Sequence, residues 1–487
     1  MKKLEELTLS HRYTQLPAHF YAEQRIAPLQ NLHLVSASSS VAQLLDLHPD
    51  ELVRADFPEF FNGQRPLTGV RPIATAYAGH QFGHYVPQLG DGRALLLGEV
   101  EYAHQRWEIQ LKGGGPTPFS RQGDGRAVLR STIREYLCSE AMHALGIPTT
   151  RALCLFSSDT PVYREEVERG ALLVRVASSH IRFGSFELFY YRNQIDDLRL
   201  LAEHVIRAYY PHLYEHHNPF LALLQTVIRT TATLMAQWQS VGFAHGVMNT
   251  DNMSILGLTL DYGPFGFLDN YQPGFICNHS DHHGRYAFDQ QPAIALWNCS
   301  CLAQALLPLI DIDSAREALS TFDEHFRHHY QRLMHAKLGL HEESPDTTAL
   351  LNSLLDLLAT HHVDYTLFFR KLGESGTQEG AQHTPLRDLF IERAACDRWV
   401  ERYSAILQRQ GISEQARQET MRCVNPKFIL RNHLAQRAIE KAEQGDYAEI
   451  NNLLTVLQRP YDEHIQFSRY AEPPPAGANP VVVSCSS

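Results

Sequence analysis

The stretch His245-Gly246-Val247-Met248-Asn249-Thr250-Asp251-Asn252, followed by Asp261-Tyr262-Gly263, holds residue types that phosphate chemistry requires. Asn252 and Asp261 are hard oxygen donors suited to Mg²⁺ or Mn²⁺. The strand-like run Met253-Ser254-Ile255-Leu256 lies between them, so a two-stranded hairpin could bring them together. In kinase-type loops an Asp accepts the proton of the substrate hydroxyl. An Asn five residues later holds Mg²⁺, and an Asp-aromatic-Gly further on holds more metal. His245, Gly246 and Asn252 sit at that spacing, but Val247 occupies the position of the Asp. Valine accepts no proton. Asp251, directly before the Asn, offers a carboxylate instead. Two readings follow: a kinase-like chain without catalysis, or different chemistry on the same metal pair.

A nucleoside triphosphate must also be held by fixed cations and backbone N–H groups. Lys112 ends the strand Trp107-Glu108-Ile109-Gln110-Leu111-Lys112 and is the candidate phosphate-binding lysine. Glu135, on the helix predicted from about Arg126 to Leu145, is its best partner, with Glu140 as runner-up. Gly90-Asp91-Gly92-Arg93 is a possible phosphate-facing turn, although hairpin turns commonly contain Gly. Asp124 and Gly125 directly precede the helix, where N–H groups attract anions; Asp124 could equally be an N-cap. Arg175 lies in the apolar strand Leu172-Leu173-Val174-Arg175-Val176, and Arg182 follows in the next loop. A charge in a buried strand is costly unless paired. The two arginines therefore read as a phosphate clamp or as structural ion pairs.

These residues need elements to position them. Tyr85–Leu89 and Ala94–Val100 read as a hairpin closed at Gly90–Arg93. The helix with Glu135 follows, stopped by Gly146 and Pro148. Beyond about residue 300 the pattern is helical, with long amphipathic stretches near 314–336, 347–360 and 398–445. A small sheet domain followed by a helical one, with Asp251 near their junction, is the order of a protein-kinase-like fold. The fold class expected is α+β and bilobal. The divisions expected are an N-terminal extension at 1–80, an N-lobe at 81–170, hinge and catalytic segments at 171–310, a helical part at 311–470 and a flexible tail at 471–487.

The formal net charge of -11 argues against a nucleic-acid-binding surface but leaves room for a local basic pocket. No long apolar run or signal peptide stands out, so no membrane association is expected and the cytoplasm is the default location. Eight scattered cysteines form no Cys-x-x-Cys pair, and Cys485 follows a Pro-rich segment close to the end.

Over nearly its whole length the chain resembles the SelO/YdiU family of kinase-like proteins. The resemblance rests on Tyr77-Ala78-Gly79-His80-Gln81-Phe82-Gly83, Gln88–Ala94, Gln110–Gly113, Phe119-Ser120-Arg121 through Glu135, the Arg175 and Arg182 segment, His245–Asn252 and the terminal Ser484-Cys485-Ser486-Ser487. It implies a protein adenylyltransferase that moves AMP from ATP to Ser, Thr or Tyr hydroxyls of protein substrates, with UMP from UTP ascribed to bacterial members. By position, Gly90, Gly92, Arg93, Lys112, Asp124, Gly125, Arg175, Arg182 and Asp261 would hold the nucleotide. Asp251 would be the general base, Asn252 and Asp261 the metal ligands, and Glu135 the residue orienting Lys112. The resemblance also implies a redox pair of Cys277 and Cys485. An atypical protein kinase and a catalytically silent nucleotide-binding scaffold remain as alternatives.

Overall fold

The computed structural model describes residues 1–376 and 384–484, so Cys485 lies outside the described residues. The fold is α+β. Ten strands precede the first long run of helices: β1 (Tyr21–Glu23), β2 (His33–Ala37), β3 (Ile73–Thr75), β4 (Gly79–Gln81), β5 (His84–Val86), β6 (Ala94–Tyr102), β7 (Gln105–Lys112), β8 (Ala127–Val128), β9 (Arg151–Tyr163) and β10 (Val167–Ala177). Eight of them form one antiparallel sheet in the order β1-β3-β6-β7-β10-β9-β2, with β8 also on β10. Residues 1–80, expected as an extension, supply β1, β2 and β3 of this sheet.

Both faces of the sheet are covered, which explains its near-continuous apolar strands. On β10, Leu172, Val174 and Val176 face a core built with Leu4, Leu9 and Phe57 from the N-terminal segment. The alternate residue Leu173 joins Ile133 and Tyr136 of the helix Leu129–Ala144 on the other face. That helix starts later than the expected Arg126, because Ala127 and Val128 pair with Ala171 and Gly170.

The hairpin expected around Gly90–Arg93 does not form. β5 pairs instead with β4 across Phe82 and Gly83, and β6 pairs with β7 across Ala103 and His104. All four turn residues have positive φ, which supplies the tight reversals without the usual Asn-Gly. Gly90–Arg93 is a bend leading into β6.

Three helices not foreseen from the sequence follow: Phe183–Tyr191, Ile195–Tyr209 and Pro219–Val241. The last is capped by Asn218 and stopped by left-handed Gly242. It is long and apolar enough, by length and composition, to cross a membrane, contrary to the expectation of no such run. Most of its apolar window is buried, much of it against the helix Phe322–Lys337. The stretch expected at 398–445 is three helices, Arg393–Gln410, Glu414–Val424 and Asn432–Glu443. Left-handed Gly411 ends the first, and Pro426 lies between the second and third.

Candidate active site

Two short strands, β11 (Phe243–Ala244) and β12 (Gly266–Phe267), pair and close a loop that carries Asp251, Asn252 and Asp261. His245 anchors the loop from inside. Its ring stacks on Trp238, and its Nε2 lies 2.8 Å from the Leu260 carbonyl oxygen. The bridge between Met253 and Thr259 supplies the reversal expected between Asn252 and Asp261.

The loop faces a cavity of about 570 Å³ between it and the sheet. Gly90, Gly92, Arg93, Lys112, Asp124 and Gly125 line one side. Arg175, Arg182, Asp251, Asn252 and Asp261 complete the wall, so this cavity brings together every expected nucleotide, metal and base residue. Seven cationic side chains line it (Arg93, Lys112, Arg121, Arg126, Arg164, Arg175 and Arg182) against four acidic ones (Asp91, Asp124, Asp251 and Asp261). A local cationic excess in a chain of net charge -11 is a focused binding field for anions.

Lys112 of β7 and Arg175 of β10 meet Glu135 of the helix behind the sheet. Lys112 Nζ pairs with one Glu135 oxygen. Arg175 Nε binds the other at 2.5 Å, and Arg175 Nη1 donates to Gln110 Oε1 at 3.0 Å. Burial opposes ionisation of Glu135, but the Arg175 and Lys112 charges outweigh it and hold the carboxyl below its usual range. Burial lowers Lys112 to about 8, helped by Arg93 and Arg175 and opposed by Glu135. The runner-up Glu140 is engaged elsewhere, taking Arg151 Nε at 2.7 Å and Nη2 at 2.8 Å.

Asp261 adopts a left-handed φ of 56° and takes both arginines of the expected clamp. Arg175 Nη2 is 2.8 Å from Oδ1, and Arg182 binds Oδ2. Burial works against its charge, yet Arg182 and Arg175 keep the carboxyl well below the usual carboxylate range. Both arginines are ion-paired, as the structural reading expects, and both line the cavity.

Asp251 has a different environment. Oδ2 accepts one hydrogen bond, from Gln81 Nε2 at 3.1 Å, while Oδ1 is buried with no partner. Arg182 Nη1 donates to the Asp251 backbone oxygen at 2.6 Å rather than to the carboxylate. Burial raises the carboxyl to about 7, against the pull of Gln81 and Arg182. Two carboxylates in one cavity are therefore pushed apart, Asp261 down and Asp251 up, the usual signature of distinct roles. Asn252 Nδ2 donates to the Val247 carbonyl at 3.0 Å.

Asp124 is an Asx-turn residue and an ion-pair partner together: Oδ1 accepts from Arg126 N at 2.9 Å, and Arg164 holds both oxygens. Arg164 escaped the sequence reading. It sits at the tip of the β9–β10 hairpin, and no local spacing ties it to residue 124. Gln81 was also missed as a contact of Asp251, although it stands within the Tyr77–Gly83 run.

Cys277 is buried, and its Sγ lies 3.5 Å from the Ala244 carbonyl oxygen at the root of the loop. Close by, His279 N donates to the Val483 carbonyl at 2.8 Å, so the C-terminal segment reaches the neighbourhood of Cys277.

The family model described as "Protein adenylyltransferase SelO" matches residues 3–458. The chain belongs to the SelO family. A relative from Thioalkalivibrio sulfidiphilus, named "Protein nucleotidyltransferase YdiU", is 56% identical over 100% of both chains. Relatives of the same name from Myxococcus xanthus and Vibrio vulnificus are 54% and 52% identical, again over 100% of each chain.

Proposed function

We propose that this SelO-family chain is a protein nucleotidyltransferase that moves AMP from ATP to Ser, Thr or Tyr hydroxyls of protein substrates. The carrying observation is Asp251: a buried carboxylate raised to about 7, with one unpartnered oxygen, on the wall of a cationic cavity where the kinase base is replaced by Val247. The names of full-length relatives support the same reading.

In this mechanism Asp251 takes the proton of the acceptor hydroxyl as its oxygen attacks the α-phosphorus. The bond between the α-phosphorus and the oxygen bridging to the β-phosphorus breaks, and pyrophosphate leaves. Lys112, Arg175 and Arg182 hold the phosphates, with Glu135 fixing Lys112 and Arg175. Arg93, for which no carboxylate partner appears among the described residues, and the Arg126–Arg164 side of the cavity are placed to take the departing charge. Asn252 and Asp261 offer the hard oxygen donors that suit Mg²⁺ or Mn²⁺, and a divalent ion held there would neutralise phosphate charge. UTP would fit the same phosphate-binding groups, since none of them reads the base.

On this reading the sheet is the N-lobe of a kinase-like bilobal fold, built on 81–170 with strands from 1–80. Residues 171–310 carry the catalytic segments, and 311–470 form the helical remainder. The approach of the C-terminal segment to Cys277 supports a redox pair with Cys485. A phosphotransferase using Asp251 as a displaced base is the second reading.

Asp251→Ala separates catalysis from binding. Arg182 holds the backbone oxygen of residue 251, which alanine keeps. Transfer is expected to fall by about 10²–10⁴-fold with nucleotide affinity changed only a few-fold. Loss of nucleotide binding in that variant would remove Asp251 from the base role.

A further inference from the structure

Behind the base, outside the cavity wall, three metal-ligand side chains converge from three separate segments. His80 comes from β4, Glu187 from the helix Phe183–Tyr191 and Cys301 from the helix Gln291–Leu306. Their ligand atoms all lie within 4.8 Å of one another. The Glu187 side chain is fully buried, and that of His80 is 11% exposed.

The protein accounts for only part of this cluster. His80 Nδ1 lies 3.1 Å from Glu187 Oε2, and the Thr250 hydroxyl donates to the same oxygen at 3.0 Å. Glu187 Oε1 is buried with no hydrogen-bond partner. A carboxylate wholly removed from water with one bare oxygen is costly, and such an orphan calls for an occupant.

We infer that His80, Glu187 and Cys301 form a binding site for a divalent transition-metal ion of the zinc type, distinct from the Asn252–Asp261 pair. The donor set decides the class of ion. Imidazole, thiolate and carboxylate together suit Zn²⁺ or Co²⁺, whereas Mg²⁺ prefers oxygen alone. The charges also close: a dication with one thiolate, one carboxylate and one neutral imidazole is a neutral site, the kind that survives burial. On binding, the Cys301 thiol proton passes to solvent and the sulfur lone pair forms the bond to the ion. Bonds of about 2.0–2.3 Å in a tetrahedron place ligand atoms roughly 3.3–3.8 Å apart, so closing the site takes only a small contraction. Three protein ligands leave a fourth position for water. The Thr250 hydroxyl on Glu187 supplies an outer-shell contact that orients the carboxylate.

The position gives the ion a purpose. His80 N donates to Thr250 Oγ1 at 2.7 Å, and the residue after each makes the contact at the base: Gln81 donates to Asp251. Metal here would pin the β4–β5 hairpin to the two helices that carry Glu187 and Cys301, and Glu187 in turn holds Thr250 at the start of the Asp251 turn. His80, Glu187 and Cys301 would then act as positioning residues. The binding claim itself does not depend on which nucleotide transfer the cavity performs.

The test uses the full chain, stripped with chelator and titrated with Co²⁺. Expected is a one-equivalent thiolate-to-cobalt absorption in the near ultraviolet, retained in Asp261→Asn and in excess Mg²⁺. Cys301→Ser should lose the thiolate band, and Glu187→Gln should weaken Co²⁺ binding by about tenfold or more. Circular dichroism checks that each variant folds. Should Cys301→Ser fail to fold, His80→Gln takes its place, with the band expected to shift and the affinity to fall. No thiolate band in the wild-type chain, or an unchanged band in folded Cys301→Ser, would overturn the inference.

Discussion

The two oxygens of Glu135 are held by two different cations, Oε2 by Lys112 and Oε1 by Arg175 at 2.5 Å. One carboxylate thereby ties the end of β7 to the C-terminal part of β10. It is more than a partner for the lysine, because Arg175 continues the chain of charge to Asp261 at 2.8 Å.

Glu135→Gln leaves two buried cations short of charge. Breaking a buried pair costs about 3–5 kcal/mol. The variant should melt at a clearly lower temperature and bind nucleotide at least about tenfold more weakly. Glu140→Gln, which breaks the separate Arg151 pair, should lower stability while leaving nucleotide affinity unchanged. Thermal melts and nucleotide titration of both variants distinguish the two carboxylates.

Gly79 lies against the base. A Cβ built there would sit 2.8 Å from Asp251 Oδ1 and 2.9 Å from its Cβ, closer than real contacts allow. Gly79→Ala should displace the Asp251 side chain, lowering kcat by about tenfold or more, since a misplacement of about 1 Å can cost 10²-fold. Nucleotide affinity should hold. Unchanged kcat in this variant would argue against a fixed position for Asp251.

Lys337 is a buried cation far from the cavity. Its Nζ lies 4.4 Å from the Phe369 ring centroid and 5.6 Å from that of Tyr365, with no carboxylate pair among the described residues. Burial pushes its pKa down to about 7. Below that value the folded chain carries a buried charge. Between pH 7 and the unfolded value of 10.5 the unfolded chain holds the extra proton, so wild-type stability gains as pH rises. Lys337→Met should therefore be stabilising near neutral pH, on the order of 1–3 kcal/mol, and the gain should shrink toward pH 10. Thermal melts of both proteins across that range give the comparison.

That the expected residues would meet in one candidate cavity was legible because their motifs are local. His245–Asn252 is one loop, and Lys112 and Glu135 each end or occupy an element whose period is visible. What escaped depends on distance or on full burial. Arg164 meets Asp124 only because the β9–β10 hairpin folds back over the loop. The helix Phe183–Tyr191 is buried along almost its entire length, so its sequence shows no polar face and no helical period. β1 and β3 are three residues each, too short for alternation to register, yet they extend the sheet. The β4–β5 hairpin was misassigned because Tyr85–Leu89 reads as continuous with the Gly90 bend, while its turn, Phe82-Gly83, lacks the commonest hairpin pair.

The central claim is that the cavity transfers the α-phosphoryl group with its nucleoside. The direct measurement is label transfer to protein from ATP labelled at the α-phosphate, run beside ATP labelled at the γ-phosphate, with divalent metal. Label from the α-position alone is expected, absent in Asp251→Ala. Label from the γ-position alone would contradict the account and make the chain a kinase with a displaced base.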